Sequence, residues 1–265
     1  MLALLLTVGG YIALRHNVPV LEPSSCAAAA TGQPIPLDVG QAAIAATIAG
    51  VAEHRDLPRR AVTVAYATAL QESKLTNLRS GDRDSVGVFQ QRPSQGWGPA
   101  RSIEDPVYAT TRFFEALTQV PRYESIPVYQ AAQAVQHSAD GYAYNQYASV
   151  ARNMAKAFTG DLPHGVWCWY SSPLGRSRLS AASHALTQAF GPLRVRRSGD
   201  PQMEVRVAHP ASGWTVAAWL VSHAASYGIR TVSYQGYRWR TVDGSSGWTR
   251  DGQRAKAPPA VLLFG

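Results

Sequence analysis

A chain of 265 residues that is 46% apolar has the size for one or two domains with proper cores and the composition of an ordinary soluble globular protein. Its 22 glycines and 17 prolines are spread along the chain, which excludes a long low-complexity tract, and no internal repeat is evident. The net charge of +8 is lopsided: residues 33–158 carry 12 Lys/Arg against 11 Asp/Glu, whereas residues 159–265 carry 12 against 5, so the second half points to an anionic partner.

Residues 1–14, MLALLLTVGGYIAL, are apolar and uncharged. As a helix they span roughly 21 Å, short of the ~30 Å hydrocarbon core. Residues 1–16 read as a signal anchor, with a cleaved signal peptide as the alternative, and both put the rest of the chain outside the cytoplasm. Residues 17–36, with four prolines and an alanine run, read as a tether. Cys26 and Cys168 are the two cysteines. In an oxidising compartment they can close a loop of more than 100 residues, worth at most about 5 kcal/mol; two free buried thiols are the alternative. Their spacing excludes a cysteine-based zinc site.

Asp38 is a candidate N-cap for an Ala-rich helix over residues 40–55. Leu57-Pro58 separates it from a second helix that runs into Gln71-Glu72-Ser73. Apolar residues lie on most sides of that helix, which predicts burial. Glu72 falls at its C-terminal end, where the helix dipole and burial both favour a protonated carboxyl, so Glu72 is either a candidate general acid or a solvated side chain at a frayed helix end, paired with Lys74 or Arg79. Residues 74–86 form a polar connection in which Asp82 or Asp84 is a candidate second carboxylate, or else part of an Arg-clamped loop. Gly87 to Gly98 is expected to line a groove. Gln90 and Gln91 have the donors and acceptors for sugar amides, and Trp97 has a flat face for a sugar ring or for the core.

A helix start at Ser102–Pro106 leads into a helical face of Val107, Phe113, Phe114 and Leu117. Two more helices follow at residues 128–138 and 142–158, broken at Asp140-Gly141, with Gln136 and Tyr144 as weaker groove candidates. Residues 37–158 thus read as an all-α domain and residues 159–178 as a linker. Residues 179–265 read as a smaller, basic α+β domain: helix 179–190, strand 202–208, helix 213–227 ending at Gly228, a hairpin about Gln235-Gly236, and a final strand at 260–264.

The helix ending in Glu72-Ser73, followed by Gly87-Val88-Phe89-Gln90, resembles the lysozyme-like fold of soluble lytic transglycosylases, and residues 38–158 together look like a group of actinobacterial secreted or membrane-anchored wall proteins. The resemblance implies peptidoglycan as substrate and Glu72 as the single essential acid/base, with Ser73, Gly87, Phe89, Gln90, Gln91, Trp97, Gln136 and Tyr144 around the glycan. It also implies a 1,6-anhydro product and no metal or organic cofactor. The family's later Ala-Tyr-Asn element has two candidates here, Ala134–Ser138 and Ala143-Tyr144-Asn145.

The run from His209 through Trp214, Trp219, His223 and Gly228 to Trp239 resembles a domain distantly similar to zinc D-Ala-D-Ala carboxypeptidases. The Asp expected seven positions after His209 is Val216, so the domain reads as a metal-free binding module, with His223 a core histidine. Two function classes follow. One is a glycan-cleaving enzyme, a lytic transglycosylase or a muramidase-type hydrolase, held at the membrane by its anchor or secreted. The other is a non-catalytic protein that binds peptidoglycan, with its basic half on anionic wall polymers. A nucleic-acid partner is not expected, because no zinc-finger spacing or RNA-binding aromatic motif accompanies the charge.

Overall fold

The computed structural model describes residues 23–138, 140–199, 202–251 and 260–265. The expected anchor, and the expected tether as far as residue 22, lie outside them. Among the described residues no helix is long and apolar enough to cross a membrane.

Helix α1 (Val39–His54) starts where its sequence predicts, with Asp38 as N-cap and the Asp38 amide donating to Gln41 Oε1 at 2.9 Å. Ala42 and every residue from Ile44 to Ala52 are buried. Such a helix has no solvent stripe and needs partners on all sides. Helix α2 (Arg59–Ser73) supplies one side, and Tyr66 Oη locks the pair by donating to the Ala45 carbonyl at 2.7 Å. Pro58 sits at the N-cap of α2 rather than inside its first turn.

The short α3 (Ala100–Ile103) leads into α4 (Pro106–Thr118), where the Asp105 side chain accepts from Val107 N at 2.9 Å and Pro106 fills N1. Helix α5 (Val128–Gln136) ends at His137 in a left-handed conformation. The helix expected at 142–158 is two elements: a 3₁₀ segment, Gly141–Tyr147, and then α6 (Ala148–Phe158).

The expected tether and linker require correction. Residues Ser25–Ala28 form strand β1, which pairs antiparallel with β2 (Ile35–Leu37) on one side and with β3 (Val166–Trp169) on the other. Small, apolar Cys26, Ala27 and Ala28 are buried in that contact, which a solvated tether would not allow. Cys26 stands directly opposite Cys168 in the register, and the two are joined by a disulfide across 142 residues of sequence.

The remainder is helix α7 (Leu179–Phe190), then strands β4 (Arg194–Gly199) and β5 (Gln202–Arg206), then helices α8 (Pro210–Ser222) and α9 (Ala224–Tyr227). Strands β6 (Thr231–Tyr234), β7 (Tyr237–Arg240), β8 (Trp248–Arg250) and β9 (Ala260–Phe264) complete it. They form one antiparallel sheet in the order β4-β5-β9-β6-β7-β8. The β6–β7 turn uses positive φ at both Gln235 (49°) and Gly236 (76°), the geometry that matches strand twist in a two-residue hairpin. The helix expected over 213–227 begins earlier, at Pro210, and breaks at His223 before Gly228 closes it with φ 65°.

With helices and two antiparallel sheets, the fold class is α+β. The two halves are not separately cored. Helix α1 packs on α2 and α4 from its own half and on α7 and α8 from the other, within one continuous apolar core. Two indoles tie the small sheet to the large one: Trp239 Nε1 donates to Cys168 O at 2.9 Å and Trp248 Nε1 to Val166 O at 2.7 Å.

His223 is a packed histidine, with its ring stacked 3.9 Å from Trp219 and Nδ1 2.9 Å from the Trp219 carbonyl.

Two stability measurements check this architecture. Replacing both cysteines by alanine should lower the unfolding free energy by about 2–5 kcal/mol in a urea titration, because the bridge closes so long a loop; an unchanged midpoint would mean the small sheet holds without it. Burial lowers the His223 titration to about 4, against the opposing pull of the Trp219 carbonyl. The unfolded chain takes this proton near pH 6.5, so only the unfolded chain is protonated between about 6.5 and 4. Stability should therefore fall as pH drops through that window and level off below it, by on the order of 3 kcal/mol. His223→Gln should lack that part of the slope.

Candidate active site

The last turn of α2 carries Gln71, Glu72 and Ser73, and Lys74 ends the helix in a left-handed conformation with φ 56°. Gln41 fixes this terminus from α1: its Nε2 donates to the Lys74 carbonyl at 2.8 Å while its Oε1 caps α1. Ser73 is buried, with Oγ donating to the Val88 carbonyl at 2.7 Å and accepting from Thr76 N at 3.2 Å. The serine after the acid is therefore a tie between helix and loop. It does not face the solvent.

The loop is a narrow turn. Val86 and Gln91 exchange backbone hydrogen bonds at 3.0 Å each, and Gly87 N donates to Leu78 O at 2.7 Å. Gly87 has φ 79°, and a Cβ there would come within 2.7 Å of the Ile103 carbonyl oxygen. Both facts require glycine. From the far side, Gln136 Nε2 on α5 donates to the Phe89 carbonyl at 2.8 Å. Ser73 and Gln136 thus pin adjacent carbonyls of the same turn.

Tyr144 completes the arrangement. The 3₁₀ segment is capped by Asp140, whose side chain accepts from Tyr142 N at 3.1 Å, and it delivers a buried Tyr144 to the end of α2. Tyr144 Oη donates to Glu72 Oε1 at 2.6 Å. Burial, and then the hydrogen bond to Glu72, push the phenol well above its ordinary range, so it remains a proton-bearing donor through neutral pH. Among the described residues Glu72 Oε2 has no hydrogen-bond partner, and the side chain is only partly buried. One oxygen is held and the other is open. Of the two candidates for the tyrosine element, it is Ala143-Tyr144-Asn145 that supplies the contact.

Several expected groove residues are placed differently. Phe89 is fully buried and stacks on Phe113 at 4.4 Å, so its ring belongs to the core. Gln91 is buried and donates to the Ala109 carbonyl at 3.1 Å, which removes it from any solvent-borne ligand. Gln90, at φ 47°, turns its amide back to the Gly87 carbonyl at 3.1 Å and stays partly exposed. Trp97 and Gln136 come together in a cavity of about 530 Å³ with Gln95 and His137, and Glu72 stands outside its walls. Asp84 is the clamped alternative: Arg92 Nε at 2.8 Å, Ser94 N at 2.8 Å and Ser94 Oγ at 3.0 Å hold it well below the usual carboxylate range. It stays charged and engaged, which disqualifies it as a proton donor. Asp82 is exposed and 3.9 Å from Arg83.

Sequence reasoning overlooked the rest of the Gly141–Tyr147 segment. Tyr142 is 65% exposed and meets Tyr129 edge-on at 5.1 Å, an aromatic ledge two residues from Tyr144. Lys74 contacts Tyr147, and Gln146 Nε2 reaches Gln71 Oε1 at 3.1 Å. Three tyrosines within seven residues after a capping Asp were the available signal. Among the described residues no three His, Cys, Asp or Glu side chains gather as a metal site would require.

The chain matches no protein-family model, and a search of the curated proteins also gives no match.

Gly87→Ala tests the pinned turn. It should cost more than about 1 kcal/mol of stability, because alanine is strained at positive φ. Amide exchange at residues 86–91 should rise with it; unchanged exchange would show that the turn is held without glycine.

Proposed function

We propose that this protein cleaves the glycan strands of peptidoglycan with Glu72 as its single acid/base, as a lytic transglycosylase. The observation that carries the reading is the 2.6 Å contact from Tyr144 to Glu72, made at a helix end whose adjoining loop is pinned by Ser73 and Gln136. A carboxyl held by one oxygen and open at the other is oriented for proton transfer to a bound atom.

The chemistry proceeds in two proton transfers. Glu72 donates a proton to the glycosidic oxygen as the bond from that oxygen to the anomeric carbon breaks. The 6-hydroxyl of the same N-acetylmuramic acid residue then bonds to the anomeric carbon, and Glu72 recovers the hydroxyl proton. The sum is a 1,6-anhydro end and a free 4-hydroxyl, with Glu72 restored and no water, metal or organic cofactor consumed. Tyr144 is a positioning residue: it keeps the carboxyl in one rotamer through both steps. The exposed Tyr142 face and the Trp97–Gln136 cavity suit sugar rings, and the arginine-rich half suits anionic wall polymers. This work lies outside the cytoplasmic membrane, with residues 1–16 as anchor or export signal.

Glu72→Gln should reduce release of soluble fragments from purified sacculi by about 10²–10⁴-fold with sacculus binding retained. Tyr144→Phe, which deletes one hydroxyl, should lower kcat more than KM and leave the thermal midpoint within a few degrees. Full activity in Glu72→Gln would remove Glu72 from the mechanism. Binding without release by the native protein would make it a wall-binding protein instead.

A further inference from the structure

Tyr144 holds Glu72, and the 3₁₀ segment that carries Tyr144 must itself be held. Helix α5 ends at His137 in a left-handed turn with φ 51°, and the chain then enters the 3₁₀ segment at Gly141. Neither element fixes the angle between them by its own hydrogen bonds.

One side chain of α5 grips this turn. Gln133 Nε2 donates to the Ser138 carbonyl at 2.6 Å, and Gln133 Oε1 accepts from Ser138 Oγ at 2.7 Å. The Gln133 backbone carbonyl accepts from His137 N at 2.9 Å. Both ends of the amide are committed to one residue, which leaves the side chain a single orientation. Gly141 lies directly on that amide: a Cβ there would come within 2.7 Å of Gln133 Cδ and 2.9 Å of Oε1. Gly141 lies outside the left-handed region, so the glycine answers to the space that Gln133 takes. Three positions along the same helix, Gln136 pins the Phe89 carbonyl. Two glutamines of α5 thus hold the two segments that meet the end of α2.

We propose that Gln133 is a positioning residue for glycan cleavage. By clasping Ser138 and backing Gly141 it sets where the 3₁₀ segment starts, and through that segment the contact from Tyr144 to Glu72. Gln133 touches neither carboxyl nor phenol among the described residues; its effect passes through Tyr144. A displacement of about 1 Å at a reacting group costs on the order of 10²-fold in rate, so a looser turn is felt as lost turnover. The link to catalysis rests on the reading of Glu72 as acid/base, whereas the clasp itself does not.

The test uses two variants of the full chain. Gln133→Leu keeps the bulk and removes both amide bonds. Gly141→Ala keeps Gln133 and Ser138 but puts a methyl where the amide lies. On solubilised glycan strands each should lower kcat about three- to tenfold with KM unchanged, the kinetic equivalent of one lost hydrogen bond. In a Tyr144→Phe background neither should add a further loss, because residues acting through one group are not additive. A readout independent of turnover is the proton resonance of the Tyr144 hydroxyl, assigned by its disappearance in Tyr144→Phe. It should broaden or exchange faster in Gln133→Leu. Native kcat in both variants, losses that add to that of Tyr144→Phe, or an unchanged hydroxyl resonance in Gln133→Leu would overturn the proposal. A native chain that releases no fragments would remove the glycan-cleavage reading, and with it the catalytic role of Gln133; the hydroxyl resonance would then decide the clasp by itself.

Discussion

Helix α1 must be buried on every side, and the rest of the molecule is arranged to do it. Ten residues of its sixteen are buried, nine of them consecutive, and most are Ala, Ile or Val. No single helical layer can cover a helix all round, so α1 packs on α2 and α4 from the first half and on α7 and α8 from the second. The alanines allow close approach, and the Tyr66 hydroxyl fixes the α1–α2 contact by satisfying a buried carbonyl. What reads in sequence as two domains is therefore one core with α1 at its centre. The disulfide fits the same logic, since β1 leads towards α1 and β3 leads away from α6, and Cys26–Cys168 closes both ends of the first half together.

The carboxylate site inherits its geometry from that arrangement. Gln41 in the first turn of α1 holds the terminus of α2, so the position of Glu72 is set by the helix that organises the core. The loop beside it is held through its backbone. Ser73 and Gln136 grip carbonyls, and the Phe89 ring anchors the turn from below in the core. Of the motif Gly87-Val88-Phe89-Gln90, three members build the turn, and only Gln90 has a side chain left partly in solvent. The motif supports the acid by shaping the backbone around it more than by touching a ligand.

This explains which parts were legible in the sequence. The helix cap at Asp38, the helix start within Ser102–Pro106, the helix over 179–190, the Gln235-Gly236 turn and the last strand follow from local chemistry, and local chemistry decided them. The end of α2 at Gln71-Glu72-Ser73 was legible because the long apolar run stops there. Phe89 and Gln91 were misassigned because residue type does not say which way a side chain points from a tight turn. Tyr144 was ambiguous because a 3₁₀ segment breaks the 3.6-residue rhythm used to place it. Strands β1, β2 and β3 are three or four residues long, and β1 finds its partner β3 about 140 residues away, a distance no window on the sequence covers. Strand β4 went unassigned because Arg194, Arg196 and Arg197 crowd its six residues and hide the apolar alternation of a strand, which shows only where β5 is set beside it.

The most direct test of the central claim is mass analysis of the muropeptides that the full chain, with its Cys26–Cys168 bridge intact, releases from purified sacculi. The account predicts fragments ending in 1,6-anhydro-N-acetylmuramic acid. Fragments with reducing ends, one water heavier, would contradict it. They would mean that a solvent molecule attacks the anomeric carbon, and that a second group must activate it.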